Sequence, residues 1–256
     1  KPGVETEANK EYERNALEAL NKAYEIEPTN KGIIHSLGDM YDKMRSFDEA
    51  EKLYLRILEM EPTNMSNYYV VAEFYKRYAG GVEEGEEGDN GVKTPFRKAE
   101  EMYLRRIETD PSNPQGYAYI AQFYDSILPV PEFDKAVFYH KKRIGLDPED
   151  AEAWLAVGVN RWSKAHRIQT MLTRQERIDL ANESETALKK AIELDDQFSN
   201  PYAHLSVLYK QIFAKLYPER AKRYEDQADI YVQRFQELGK REAVRKALEK
   251  ELKEVR

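Results

Sequence analysis

The sequence predicts an all-α solenoid of antiparallel helix pairs stacked on one another, and three observations predict it. A turn phrase recurs, EIEPTN at 25–30 and EMEPTN at 59–64, 34 residues apart. The same kind of turn returns as TDPSN around Pro111 and LDPED around Pro148, and ELDDQ places Asp196 where the next proline would fall. Proline just beyond a helix end blocks continuation. Twelve residues before each turn residue sits a small side chain, at Ala16, Ala50, Ala99, Ala136 and Ser184. After each turn an apolar pattern follows with the i, i+3, i+4, i+7 spacing of one helix face. It runs Ile34, Leu37, Gly38, Tyr41, then Tyr68, Val71, Ala72, Tyr75, then Tyr117, Ile120, Ala121, Tyr124. Trp154, Val157, Gly158 and Tyr202, Leu205, Ser206, Tyr209 continue it. The small residue at i+4 lets two helices approach closely. No single pair can bury its apolar face, so the pairs must stack.

In chain order, residues 1–30 supply only the second helix of a pair, with Tyr12, Ala16, Leu20 and Ala23 on one face. Residues 31–64 form a complete pair. Residues 65–113 form a pair interrupted by AGGVEEGEEGDNGVKT, in which Glu83, Glu84, Glu86, Glu87 and Asp89 lie among five glycines. This reads as a solvated acidic loop; the sharper reading is a divalent-cation or docking loop, although EF-hand spacing is missing. Residues 114–150 carry a short, stiff insertion, SILPVPE. Residues 151–198 are longer by fourteen, and TRQE at 173–176 has the form of a capping box. Two long helices, about 151–169 and 174–194, are expected to protrude, with Arg161, Lys164, His166, Arg167, Arg174 and Arg177 making their end basic. That end reads as a solvated tip or as a contact for an acidic partner. Residues 199–238 form the last pair. Gly239 is expected to end its second helix, leaving 239–256 as a separate capping helix with Val244, Leu248, Leu252 and Val255 on one face.

These spacings and residue types resemble the tetratricopeptide repeat family, whose pattern is W-x2-L-G-x2-Y, then Ala, an aromatic and Pro over 34 residues. Segment 31–64 carries it at Leu37, Gly38, Tyr41, Ala50, Tyr54 and Pro62, and the chain holds about five and a half such repeats. The resemblance implies a right-handed superhelix that binds proteins or peptides rather than catalysing a reaction, with the first helix of each pair lining the concave side. If positions 34, 38 and 41 pack, those one residue later lie about 100° round the helix. The candidate partner-binding residues are therefore His35, Asp39, Tyr69, Glu73, Tyr119, Gln122, Leu155, Val159, Trp162 and Val207. The face is polar early and apolar late. The late patch is either covered by the chain's own C-terminal helix and self-packing or open to an extended peptide or helix. Family members that bind carboxylate tails use Lys and Asn on these faces. Here His35, Asp39 and Glu73 stand at comparable places, which argues against that ligand.

The rest of the chain narrows the function by what it lacks. Net charge is −7, from 40 basic and 47 acidic residues, which disfavours non-specific nucleic-acid binding. No apolar run approaches the roughly 18 residues of a membrane span. There is no cysteine, so thiol chemistry and disulfides are excluded. The chain begins with Lys1, so a processed or trimmed N-terminus is expected and the compartment stays open, an extracytoplasmic one included. His35, His140, His166 and His204 are scattered without metal-ligand spacing, and no catalytic or phosphate-loop motif is present. No cofactor is implied. The reading is a non-enzymatic scaffold. The alternative is a self-associating subunit whose C-terminal helix covers the open N-terminal half repeat of the next molecule, a heterologous contact that can propagate.

Overall fold

A computed structural model of the chain describes residues 7–79, 93–126 and 131–254. The acidic insertion, with its cation-site reading, lies outside the described residues, as do positions 127–130 of the second insertion. The described residues are helical with no strand among them, and they cluster into two compact units, Lys1–Pro111 and Ser112–Arg256.

The first unit holds α1 (Glu7–Ile26), α2 (Lys31–Lys43), α3 (Phe47–Met60), α4 (Met65–Ala79) and α5 (Pro95–Thr109), each packed on the next in order up to α4 on α5. The repeated turn explains the boundaries. After Ile26 the chain turns at Pro28, and Asn30 caps α2 by accepting the Gly32 and Ile33 amides at 3.0 and 3.4 Å. A side-chain acceptor at this place satisfies amides that the helix itself leaves unpaired. In the next copy Glu61 pairs with Lys31 and accepts from Asn64 and Asn67 at 3.1 and 3.3 Å, tying two successive turns together. The turn between α2 and α3 is tighter. Arg45 takes a positive φ of 62°, while the amides of Arg45 and Ser46 bond to the Asp42 and Tyr41 carbonyls. This is the Schellman way of closing a helix, with arginine where glycine is usual. Ile34, Leu37, Leu53 and Ile57 form a core on which Leu17, Leu20 and Tyr24 of α1 rest. Gly38 serves the close approach expected of it: a Cβ there would lie 3.1 Å from the Tyr54 ring.

The second unit holds α6 (Pro114–Ser126), α7 (Phe133–Leu146), α8 (Ala151–Arg167), α9 (Arg174–Leu194), α10 (Ser199–Leu208), α11 (Ala214–Leu216) and α12 (Ala221–Glu254). A π-helical turn, Tyr209–Phe213, joins α10 to α11. Asp150 caps α8 through the Ala153 amide at 3.1 Å. The capping box opens α9 as its sequence predicts, with Thr173 N–H donating to Glu176 Oε2 at 2.7 Å and Glu176 N–H to Thr173 Oγ1 at 3.2 Å. The α8–α9 contact is close at a glycine: a Cβ on Gly158 would lie 2.6 Å from Leu188 Cγ. Ser184, at the small position, buries its hydroxyl by donating to the Gly158 carbonyl at 2.7 Å. Leu188, Leu205, Leu208, Ile212 and Phe213 form the core that α12 closes through Ala228, Tyr224 and Tyr231.

One expected boundary is corrected. Gly239 does not end a helix: α12 runs from Ala221 through it to Glu254, so the capping segment continues the second helix of the last pair. Glycine in a helix interior costs only about 1 kcal/mol relative to alanine, and no proline or cap follows to reinforce a stop.

Candidate functional site

In the first unit the predicted residues His35, Asp39, Tyr69 and Glu73 lie on α2 and α4, and two of them have an internal duty that periodicity did not show. The Asp39 carboxylate accepts the hydroxyl of buried Tyr54 at 2.6 Å, and Glu73 accepts that of Tyr103 while pairing with Lys76 at 3.5 Å. Burial, then Asp39, pushes the Tyr54 phenol far above its usual range. The neighbouring Asp42 holds the Tyr78 hydroxyl at 2.6 Å and Arg77. Carboxylates on the first helices thus anchor tyrosines that reach across from other helices. His35 is half-buried with its ring 6.5 Å from that of Tyr54.

In the second unit four predicted residues come together. Tyr119 and Gln122 on α6 and Leu155 and Val159 on α8 line one concave cavity of about 380 Å³. Gln115 and Ala118 extend the α6 wall, Glu152 and Ala156 the α8 wall, and Asp125, His140 and Arg143 complete the lining. The polar side of the cavity is tied together by hydrogen bonds. Asp125 Oδ2 lies 2.8 Å from His140 Nε2, and Asp125 Oδ1 accepts from Asn160 Nδ2 at 2.6 Å. Asn160 also donates to the Phe133 carbonyl at 3.1 Å. His140 is only 5% exposed, and its Nδ1 is buried without a partner. Since the carboxylate only accepts, His140 Nε2 is the donor in that contact. Arg143 is held by Asp150 at 2.6 Å and approached by Glu152 at 3.6 Å.

Trp162 and Val207 stand apart from this cavity's lining. Trp162 and Leu155 pack against the Leu188–Leu205 core, so the late apolar stripe is in part covered by the chain itself. Trp162 also stacks on His166 at 5.5 Å with 7° between planes and tilts against His204 at 6.2 Å. Burial holds the His204 imidazole below its ordinary pKa. Val207 is half-buried on α10. The expected basic end of the α8–α9 hairpin is largely consumed internally. Arg161 is buried on Asp134 at 3.2 Å and the Phe133 carbonyl at 3.0 Å, and Lys164 pairs with Asp134 at 2.7 Å. Arg174 donates to the Leu216 carbonyl at 2.7 Å and covers the Tyr217 ring.

Sequence reasoning missed His140, Arg143, Gln115 and Glu152. A signal for His140 existed: it follows Ala136 by four, as Tyr54 follows Ala50 and Tyr103 follows Ala99. Second-helix residues at that place reach the first-helix carboxylates. Among the described residues no group of three His, Asp or Glu is placed to hold a metal ion, and no helix is long and apolar enough to cross a membrane.

A family model described as tetratricopeptide repeat matches residues 33–66, which cover most of α2, all of α3 and the turn beyond it. Solved structures share the fold. The crystal structure of MamA protein is 18% identical, covering 83% of this chain and 93% of that chain, with a TM-score of 0.51. MamA 41-end from Desulfovibrio magneticus RS-1 is 12% identical, covering 83% of this chain and 96% of that chain, with a TM-score of 0.52. No curated protein matches the chain by sequence. Residues 33–66 therefore match a tetratricopeptide repeat, and the described helices have the all-α helix-pair fold of these solved structures.

Proposed function

We propose that the chain is a non-enzymatic protein-interaction scaffold that seats an extended peptide segment in the cavity between α6 and α8. The observation that supports this reading most is the convergence of Tyr119, Gln122, Leu155 and Val159 in one cavity. An apolar floor from Leu155, Ala156 and Val159 faces the amides of Gln115 and Gln122, which can pair with a peptide backbone. Arrays of capped peptides probed with the full chain test it. Bound peptides should lose at least about tenfold in affinity, roughly 1.4 kcal/mol, in the Tyr119→Ala/Val159→Lys variant, with far-UV circular dichroism unchanged. Peptides held equally by both proteins, or no peptide held by either, would remove the reading.

A second reading, head-to-tail self-association, has its own support. Tyr12 and Ile26 on α1 are 72% and 79% exposed, and Ile230 and Val244 on α12 are 56% and 60% exposed. Residues 1–30 hold four basic and seven acidic side chains, and 240–256 hold seven basic and four acidic, so the two ends have opposite charge. Light scattering should then give a mass that rises with concentration for the full chain and stays monomeric for Val244→Glu. A full chain that is monomeric throughout ends this reading.

A further inference from the structure

Given that a peptide occupies the α6–α8 cavity, we infer that the position seated there carries a basic side chain, lysine or arginine. Its aliphatic stem lies on Leu155, Ala156 and Val159, and its charge faces Asp125 and Glu152. This rests on the scaffold reading and specifies the partner's chemistry.

Two carboxylates, Asp125 and Glu152, stand in the lining. Asp125 is held in place by His140 and Asn160, each taking one of its oxygens and leaving further lone pairs, since an ionised carboxylate has about four acceptor sites. Glu152 is 77% exposed at its side chain and makes only a long contact to Arg143 at 3.6 Å. Arg143, the arginine among the described residues of the lining, is already paired with Asp150 at 2.6 Å. An anionic group would therefore meet two carboxylates and a spent arginine. A cation meets two carboxylates, one of them fixed in advance. The surrounding segment has the same sign, with seven acidic and four basic residues over 112–159. Lysine and arginine lay methylene stems along apolar surface while their heads reach polar groups, which fits a floor of Leu155, Ala156 and Val159.

The test uses the full chain and four pools of capped eight-residue peptides. The pools differ only in the central residue, which is lysine, arginine, norleucine or glutamate, and the flanking positions are mixtures of alanine, leucine and serine. Binding is followed by methyl NMR at Leu155 and Val159. The lysine and arginine pools should bind about tenfold more tightly than norleucine, with glutamate weakest, and the preference should collapse near 1 M salt, where the Debye length is about 3 Å. Glu152→Gln should reduce the lysine preference several-fold, and its exposed position keeps the fold out of the comparison. Asp125→Asn, checked by circular dichroism, should reduce it further. If norleucine or glutamate binds as tightly as lysine, the inference is overturned and the scaffold reading stands. If no pool shifts either methyl, both are overturned.

Discussion

Replacing Gly158 by alanine puts a Cβ 2.6 and 2.7 Å from Leu188 Cγ and Cδ2 and 3.2 Å from the Ser184 carbonyl oxygen. Carbon atoms in contact prefer about 3.5–4.0 Å, so the overlap is close to 1 Å. Leu188 cannot swing away, because it is fully buried against the core that α10 and α12 close. The backbone of α9 cannot retreat freely either, since Ser184 is hydrogen-bonded to the Gly158 carbonyl. Overpacking of this kind costs about 1–3 kcal/mol, and the blocked retreat on both sides points to the upper end. Alanine returns about 1 kcal/mol through its better helix propensity. The expected net loss is about 2 kcal/mol, or a fall of about 4–8 °C in Tm for a unit of this size. Gly239→Ala is the internal control. It offers the same gain in propensity, and a Cβ there meets nothing within 4 Å, so it should stabilise α12 by up to about 1 kcal/mol. Urea melts of both variants followed at 222 nm, with Gly158→Ala/Leu188→Ala to close a double-mutant cycle, provide the assay. If Gly158→Ala melts with the wild type, or Gly239→Ala loses as much as Gly158→Ala, the close-approach account of the helix pair is wrong.

Two further outcomes follow from the carboxylate contacts. Tyr54→Phe removes the hydroxyl that Asp39 accepts at 2.6 Å; the exposed carboxylate regains water, so chemical denaturation should report a loss of only about 1 kcal/mol. Lys31, then Asn64 and Asn67, hold the Glu61 carboxyl at about 2, below its ordinary 4.5. A depressed folded-state pKa means the unfolded chain takes up the proton first. The stabilisation is therefore complete above 4.5 and lost as pH falls toward 2. The difference in Tm between the wild type and Glu61→Gln should accordingly shrink over that window, and a constant difference would show that the contact is silent.

Much of the architecture is local in origin, which is why it was legible. The Pro28 and Pro62 turns and the Thr173–Glu176 box each depend on residues within about four positions of one another. Helix faces follow from the same short-range periodicity. The small contact position at Gly38 follows from the same periodicity, whereas the ring it meets, Tyr54, lies on the next helix. The Gly239 boundary was misread because a single glycine is a weak stop: it lacks the following proline or cap that makes such a signal decisive.

By itself, then, the sequence determined the helices, their turns, their small contact positions and the stacking that these demand. Only the tertiary structure decided which polar groups remain for a partner. Asp39 is claimed by Tyr54 fifteen residues on, Glu73 by Tyr103 thirty residues on, and Arg161 by Asp134 twenty-seven residues back. The same holds for His140 and Arg143, which sit on a second helix yet line the α6–α8 cavity. The physical reason is that such pairings depend on the rotation and separation of neighbouring helices. Those quantities are set by the packing of whole faces, and a shift of 1 Å is enough to make or break a hydrogen bond.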